Sequence, residues 1–382
     1  MPLLCAQSTS QVVVVPIPSF AAIIDGLPET VPFVGPEALE RRSGTPFRAR
    51  IGANESGFGP SPAVIKAISD SAQQVWCYSD PENHDLKAAL ATRLGIGFDE
   101  VTVGEGIDSL LGLAVRLFIA PGDVVVTSLG AYPTFNYHVA GFGGDLQMVP
   151  YSGMHEDPQA LAAKARDTNA RIVYLANPDN PMGSHWPAAD IEAFFDAVPE
   201  TCLVILDEAY GETAPVGTLP ALDTARPNLL RFRTFSKAYG MAGMRVGYAF
   251  GNARLVRAFD RVRNHFGVNR LAQVAALAAL TDEAYLALAI ASIAAARTRL
   301  TAIAHSNGLN ALPSATNFVT IDCGGDGAYA GRVLTELAQR GVFIRKPMTP
   351  GLDHHIRISA APEAELDILA EALPEALRAA YG

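Results

Sequence analysis

The sequence is poor in the residues that hold secreted or nucleic-acid-binding proteins together. Its four cysteines in 382 residues, Cys5, Cys77, Cys202 and Cys323, are far apart and form no Cys-x-x-Cys pair. That is too sparse for a disulfide framework, so they read as reduced thiols in a cytoplasmic protein. Cationic residues are also short, with 29 Lys+Arg against 39 Asp+Glu for a net charge of −10. No basic cluster is interleaved with aromatics, and nucleic acid is not an expected partner. The first 24 residues carry no charge and include Val12 to Val15. They lack a basic leader region, and Pro16 and Pro18 interrupt the apolar stretch, so a secretory signal is not expected. The other long apolar tract, 286–296, is short for a span of about 20 residues. Asp282, Glu283, Arg297 and Arg299 flank it, and it reads as a buried helix, with no membrane partner expected.

What is present is ordinary globular composition, 49% hydrophobic and 18% charged, in a chain long enough for two domains. Short β-branched runs at 101–103, 124–127, 171–175, 202–206, 230–234 and 246–250 alternate with helical patterns at 107–118, 158–166 and 188–197. Nearly unbroken apolar strands of this kind are buried on both faces of a mostly parallel sheet, an α/β architecture. After Asn269 long alanine-rich helices run to about His305. A strand (318–321), a helix (329–340), two short strands (342–345, 355–358) and a closing helix from Pro362 follow. The expected organisation is an N-terminal segment 1–45 packing on the small domain, a large domain 46–269 and a small α+β domain 270–382.

Lysine is scarce enough to be read one residue at a time. Lys66, Lys87 and Lys164 lie in alanine-rich helical patterns, and Lys346 follows a predicted strand. These are solvated positions. Lys237 instead ends an apolar strand in Arg233-Thr234-Phe235-Ser236-Lys237, on the side of an α/β sheet where ligands bind. A desolvated lysine there has an amine available to attack a carbonyl. Asp207 ends another strand, where a carboxylate serves a cation, a ribose or a protonated ring nitrogen. No His or Cys spacing nearby suits a metal, and none is expected. Asn177-Pro178-Asp179-Asn180-Pro181-Met182-Gly183 also follows a strand. Gly104 to Ser109 joins a strand to a helix whose free N–H groups suit an anion. Ser236 and Arg245 add donors fit for phosphate. One ligand accounts for the set: a phosphorylated ring aldehyde with a basic ring nitrogen and a phenolic oxygen, pyridoxal phosphate.

These motifs resemble the fold-type I pyridoxal-phosphate enzymes, specifically class I/II aminotransferases of the histidinol-phosphate aminotransferase branch. The likeness runs from Ile51-Gly52-Ala53-Asn54-Glu55 through Leu206-Asp207-Glu208-Ala209-Tyr210 and Gly243-Met244-Arg245-Val246-Gly247 to Ile356-Arg357-Ile358-Ser359. It implies a large domain built on a mostly parallel seven-stranded sheet, and a homodimer. It implies transfer of an amino group between an amino acid, or an amino-alcohol phosphate, and a 2-oxo acid. By that resemblance Lys237 carries the cofactor as a Schiff base and shuttles the proton, Asp207 protonates the ring nitrogen, and Asn180 and Tyr210 bond the phenolic oxygen. Phe135 stacks on the ring. Backbone groups of Ile107, Asp108 and Ser109, with Ser236 and Arg245, hold the phosphate. Tyr78 reaches the neighbouring subunit's phosphate site, and Arg357, Arg345 and Asn54 face the substrate. Without the resemblance, Phe135 reads as core, Asp207 as a helix cap and Arg357 as a surface ion pair.

The departures fall in the substrate pocket. Cys77-Tyr78-Ser79-Asp80 replaces the usual Arg-Tyr-Pro-Asp, Met182 stands for a threonine, and Phe33 lies near a tyrosine that often reaches the substrate phosphate. The same scaffold also serves decarboxylases of the phosphothreonine type, the alternative reaction. A DNA-binding regulator carries a DNA-binding domain ahead of the lysine domain, and the segment before Ile51 here is short, proline-rich and poor in basic residues, so that class is not expected; a nicotinamide dehydrogenase needs a glycine fingerprint, which follows no predicted strand.

Overall fold

The computed structural model describes residues 18–27 and 33–381. Cys5, the Val12 to Val15 run and the rest of the chain's first 17 residues lie outside them. Seven strands form the central sheet: β2 (Val101–Gly104), β3 (Val124–Ser128), β4 (Asp145–Val149), β5 (Ile172–Ala176), β6 (Leu203–Asp207), β7 (Leu229–Thr234) and β8 (Gly247–Gly251). The strand order is β2-β8-β7-β6-β5-β3-β4, with β8 antiparallel to both its neighbours and every other pair parallel.

The apolar runs alternate in where they point. Ile172, Tyr174 and Ala176 of β5 and Leu203 and Ile205 of β6 enter the core beneath the helices Gly106–Phe118 and Pro133–Gly141. Val173, Leu175, Val204 and Leu206 enter the opposite core, under Pro158–Asp167 and Ala188–Ala197. Two faces covered by helices require apolar residues at both parities of a strand, which is why these segments lack a polar alternation. The sequence runs do not include β4. It is an edge strand with Asp145, Gln147 and Met148 half-buried or exposed, so it has no unbroken apolar stretch.

A two-stranded parallel pair, β1 (Ala49–Arg50) with β11 (Val342–Phe343), and a three-stranded antiparallel sheet of β9 (Asn310–Ala311), β10 (Phe318–Asp322) and β12 (His355–Ser359) build the smaller part. Its core joins Ala49 and Ile51 to Ile293, Leu300, Val342 and Leu366. The expected boundaries at 45/46 and 269/270 therefore do not follow the packing. Residues 49–51 belong with the small core, and the helix Arg270–Thr281 buries Ala272, Ala275, Ala276 and Ala279 beside β2 and β8. The next helix, Glu283–Ser306, passes from one core to the other, with Leu286 in the first and Ile293 to Ala304 in the second. It is long and apolar enough to cross a membrane, but its apolar face is shared between these two cores. Alanine-rich helices carry no sequence mark of such a seam. The N-terminal segment also divides: the helix Ala22–Asp25 contacts Pro133–Gly141 of the large part, whereas Pro36–Ser43 is tied to β1 through Glu37 and Glu40 on Arg50.

Immediately beyond β6, Glu208 is wholly buried and takes both Arg231 (2.5 Å) and Arg233 (2.8 Å) from β7. The two guanidinium groups outweigh the cost of burial and hold this carboxyl below its usual range. Removing one partner of a buried ion pair strands the other charge, so Glu208→Gln should cost roughly 3–5 kcal/mol. An unchanged urea midpoint for that variant would show that the pair does not anchor the strand ends.

Candidate active site

A cavity of about 880 Å³ opens at the carboxyl ends of the parallel strands, and Arg345, Lys346 and Arg357 of the smaller part stand on its wall. Each strand delivers its next residues into it. β7 ends at Thr234 and turns through Ser236 to Lys237; β6 ends at Asp207, followed by Ala209 and Tyr210; β5 leads to Asn180. β2 is followed by Gly106 and the first turn of Gly106–Phe118, which presents Ile107 and Asp108. Asn54 enters from β1, Arg357 from the middle of β12 and Arg345 from the bridge opposite it.

The Lys237 amine donates to the carbonyl of Asn54 at 3.1 Å and makes no ion pair among the described residues. Loss of solvent, then the positive field of Arg357, brings its pKa down to about 8. Asn54 is almost fully buried with φ of 56°. Its N–H donates to Ser359 Oγ at 2.9 Å, and its side-chain amide donates to Tyr210 Oη at 3.0 Å. Asp207 accepts the Tyr174 hydroxyl at 2.7 Å and the Ala209 N–H at 2.9 Å. Burial still raises it to about 6, which those two donors only temper. A cation arriving from the cavity would reverse that rise.

Arg357 donates to Asn180 Oδ1 and lies 5.2 Å above the Phe318 ring. Enclosure brings it down to about 10. Arg345 is packed between Phe33 at 5.4 Å and Phe343 at 5.6 Å, and it donates to Val34 O at 3.1 Å. At the helix start, Arg245 stands 3.8 Å from Asp108. Gly106 has φ of +81°, a backbone conformation that glycine adopts without strain, and the Arg245 guanidinium lies 2.6 Å from where a Cβ would stand.

Several expected positions differ. Phe135 is fully buried, stacks on Tyr174 at 4.6 Å and does not line the cavity. The helix Pro133–Gly141 turns it into the core, and Tyr132, just before that helix, lines the cavity in its place, with its hydroxyl on Asp108 at 2.7 Å. Ser109 is also outside the wall, its hydroxyl turned to Glu105 at 3.1 Å. The free N–H groups of the first turn belong to Gly106, Ile107 and Asp108. Tyr78 stands away from the cavity, 77% exposed, against Phe266 at 4.8 Å. Lys346 lines the cavity with its stem, while its amine is held by the carbonyls of Gly327 (3.3 Å) and Asp353 (2.7 Å).

Sequence reading missed Tyr174 and Tyr132. Tyr174 did carry a signal, since a phenol inside a strand buried on both faces must find a partner for its hydroxyl.

The polar groups left over describe what fits. Asn54 Oδ1, Arg345 Nε and Arg357 Nε are buried without partners. Beside them are an amine free of carboxylates, a carboxyl that gains from a cation, and a helix start flanked by an arginine. That set matches a phosphorylated pyridine aldehyde, and the fold and site define a pyridoxal-phosphate enzyme of fold type I.

Comparison with known proteins narrows the class. The family model for aminotransferase class I and II matches residues 50–373. The chain is 36% identical to a histidinol-phosphate aminotransferase of Shouchella clausii over 359 residues, 93% of this chain and 96% of that one. It is 38% identical to histidinol-phosphate aminotransferase 1 of Thiobacillus denitrificans over 339 residues, 87% and 86% of the two chains. The crystal structure of a histidinol-phosphate aminotransferase from Sinorhizobium meliloti in complex with pyridoxal-5'-phosphate superposes with a TM-score of 0.92 at 54% identity, covering 95% of this chain and 98% of that one. The protein belongs to the class I and II aminotransferases and is a pyridoxal-phosphate-dependent transaminase. The decarboxylase alternative finds no support in these relatives.

The lowered pKa is open to direct test. Reductive alkylation of Lys237 in the apoprotein by a small aldehyde should reach half its maximal rate near pH 8, in line with the value of about 8. Arg357→Met should move that midpoint upward, because it removes a cation that disfavours the ammonium form. An unmoved midpoint would show that Arg357 does not act on the amine.

Proposed function

We propose that this transaminase works on carboxylate-bearing amino acids with large apolar or aromatic side chains, and that Lys237 is the residue that carries its cofactor. When bound, pyridoxal phosphate supplies an aldehyde that condenses with amines and a ring that stores the electron pair left when a carbon loses its proton. Asp207 is the partner of the ring nitrogen. Tyr210 and the amide of Asn180, whose Oδ1 is already committed to Arg357, face the phenolic oxygen. The N–H groups of Gly106, Ile107 and Asp108, with Ser236 and Arg245, take the phosphate. The Lys237 amine moves the proton at the substrate α-carbon, for which a pKa near neutrality is suited. Tyr132, rather than Phe135, is the aromatic at the ring.

The observation that carries the substrate reading is the state of the cations. Arg357 is oriented by Asn180 and backed by Phe318, ready to fork onto a carboxylate. A phosphate dianion needs more donors, and the Lys346 amine is spent on two backbone carbonyls while Phe33 covers Arg345 with a ring that has no hydroxyl. Leu129, Tyr137, Met148 and Met348 give the cavity an apolar wall. The second reading is the substrate of the relatives' name, histidinol phosphate, favoured by the adjacency of Arg345 and Arg357 across their bridge.

The resemblance and the exposed group Trp76, Tyr78 and Phe266 (85%, 77% and 51% exposed) support a cytoplasmic homodimer in which Tyr78 completes the partner's site. Inactive Lys237→Ala mixed with Tyr78→Ala should regain partial activity on subunit exchange, and verified heterodimers without activity would refute the shared site. Borohydride reduction of the holoenzyme should place the label on Lys237, and a label on another lysine would end the assignment. The substrate reading is decided by kcat/KM for histidinol phosphate against a panel of amino acids. A charged hydrogen bond is worth about 1.5–3 kcal/mol, so Phe33→Tyr should raise kcat/KM for histidinol phosphate roughly tenfold or more. A clear preference of the parent enzyme for histidinol phosphate would overturn the reading.

A further inference from the structure

Behind Asn180 lies a pair of acids that the reaction does not use. Asp179 is 2% exposed; its carboxylate accepts the Tyr151 hydroxyl at 2.8 Å and the Met182 N–H at 3.1 Å, and its own N–H donates to Ser184 O at 2.9 Å. Glu156, 1% exposed, accepts the Ser128 hydroxyl at 2.6 Å and the Ala176 N–H at 3.2 Å, at the ends of β3 and β5. The two carboxyls lie near enough to act directly on one another. Neither makes a salt bridge with a lysine, arginine or histidine among the described residues. The Tyr151 phenol is bonded to Asp179, the Tyr174 phenol is turned to Asp207, and Arg357 acts on Asp179 from the far side of Asn180.

Two buried carboxylates in contact without a cation cannot both be ionised, so one proton stays. Burial drives both carboxyls above the usual range, and each is tempered by one hydroxyl and one N–H, Ser128 and Ala176 on Glu156 and Tyr151 and Met182 on Asp179. Asp179 and Asn180 are consecutive, so whatever fixes the first sets where the second points.

We propose that Glu156 and Asp179 share one proton, and that this shared proton clamps the 177–183 loop so that Asn180 holds Arg357 in place for the substrate anion. Glu156 is then a positioning residue, acting two side chains away from anything the substrate touches. The part concerning the anion rests on the role proposed above for Arg357; the shared proton does not.

Infrared spectra of the apoprotein separate the two. The difference between the parent and Glu156→Gln at neutral pH should contain the C=O stretch of a protonated carboxyl. Absence of that band, or its persistence in the variant, would overturn the shared proton whatever Arg357 binds. In the holoenzyme, Glu156→Gln keeps a donor toward Asp179 and should leave KM for the amino donor within about twofold. Glu156→Leu should raise KM about tenfold or more, as expected for losing hydrogen bonds to a charged group, with a smaller effect on kcat. Equal damage from Gln and Leu would show bulk packing rather than the proton to be what matters. If the leucine variant does not fold, the infrared result on Glu156→Gln still decides.

Discussion

The carbonyl of Asn54 receives two donors that come from opposite parts of the chain, Lys237 Nζ at 3.1 Å and Asn317 Nδ2 at 2.9 Å. Much of the site follows from that meeting. A backbone carbonyl satisfies the lysine amine without stabilising its charge as a carboxylate would, so desolvation keeps its effect and brings the amine down to about 8. The carbonyl can be there only because Asn54 adopts a left-handed backbone, a conformation asparagine tolerates better than most residues. Ser359 at the end of β12 accepts its N–H and secures that turn. The segment leading to it starts in the small core at Ala49 and Ile51. The reactive amine of the large sheet is thus positioned by the packing of the other part.

Asp207 and Glu208 are neighbours with opposite fates, and the difference is the strand's alternation. Glu208 turns to the face where β7 supplies Arg231 and Arg233, and its charge is consumed there. Asp207 turns to the cavity and receives only neutral donors. With its neighbour's arginines spoken for, it stays an acid short of a cation, held ready for one that arrives with a ligand. Such a poised carboxyl is unfavourable for the empty protein, and the paired Glu208 beside it anchors the strand end that must tolerate it.

The legible parts of the sequence were those where physics leaves one choice. Strands covered on both faces must be apolar throughout, so β3, β5, β6, β7 and β8 stood out, while β4 at the edge did not have to be and was missed. Lys237 was visible because the chain has so few lysines. Phe135 and Tyr132 were misordered because both are aromatics near a helix start, and which one faces the ligand depends on where that helix begins, at Pro133. The seam between the two parts was misplaced for a related reason: the small side chains of 270–306 fit either core. Glu156 and Asp179 were invisible, since they are 23 residues apart and only the adjacency of β3 and β5 brings them together.

Asn180 has one side chain and two neighbours to satisfy. Its carbonyl oxygen is taken by Arg357, which leaves the amide nitrogen for the cavity. On the proposed assignment that nitrogen serves the cofactor's phenolic oxygen while Arg357 serves the substrate's anion, so the two binding events share a hinge. On that assignment an anion drawing on Arg357 would weaken or redirect its bond to Asn180, and the amide's hold on the ring would change with it. Such coupling needs the asparagine backbone to stay still while its side chain is pulled from both ends. The 177–183 loop supplies that stillness, through the Asp179 contacts to Tyr151 and Met182, the Asn177 amide bonds to the carbonyls of Trp186 and Thr218, and the Thr320 hydroxyl on Pro181 O. Thr320 belongs to β10, next to β12 and Arg357, so the smaller sheet holds both the loop and the arginine that the loop orients.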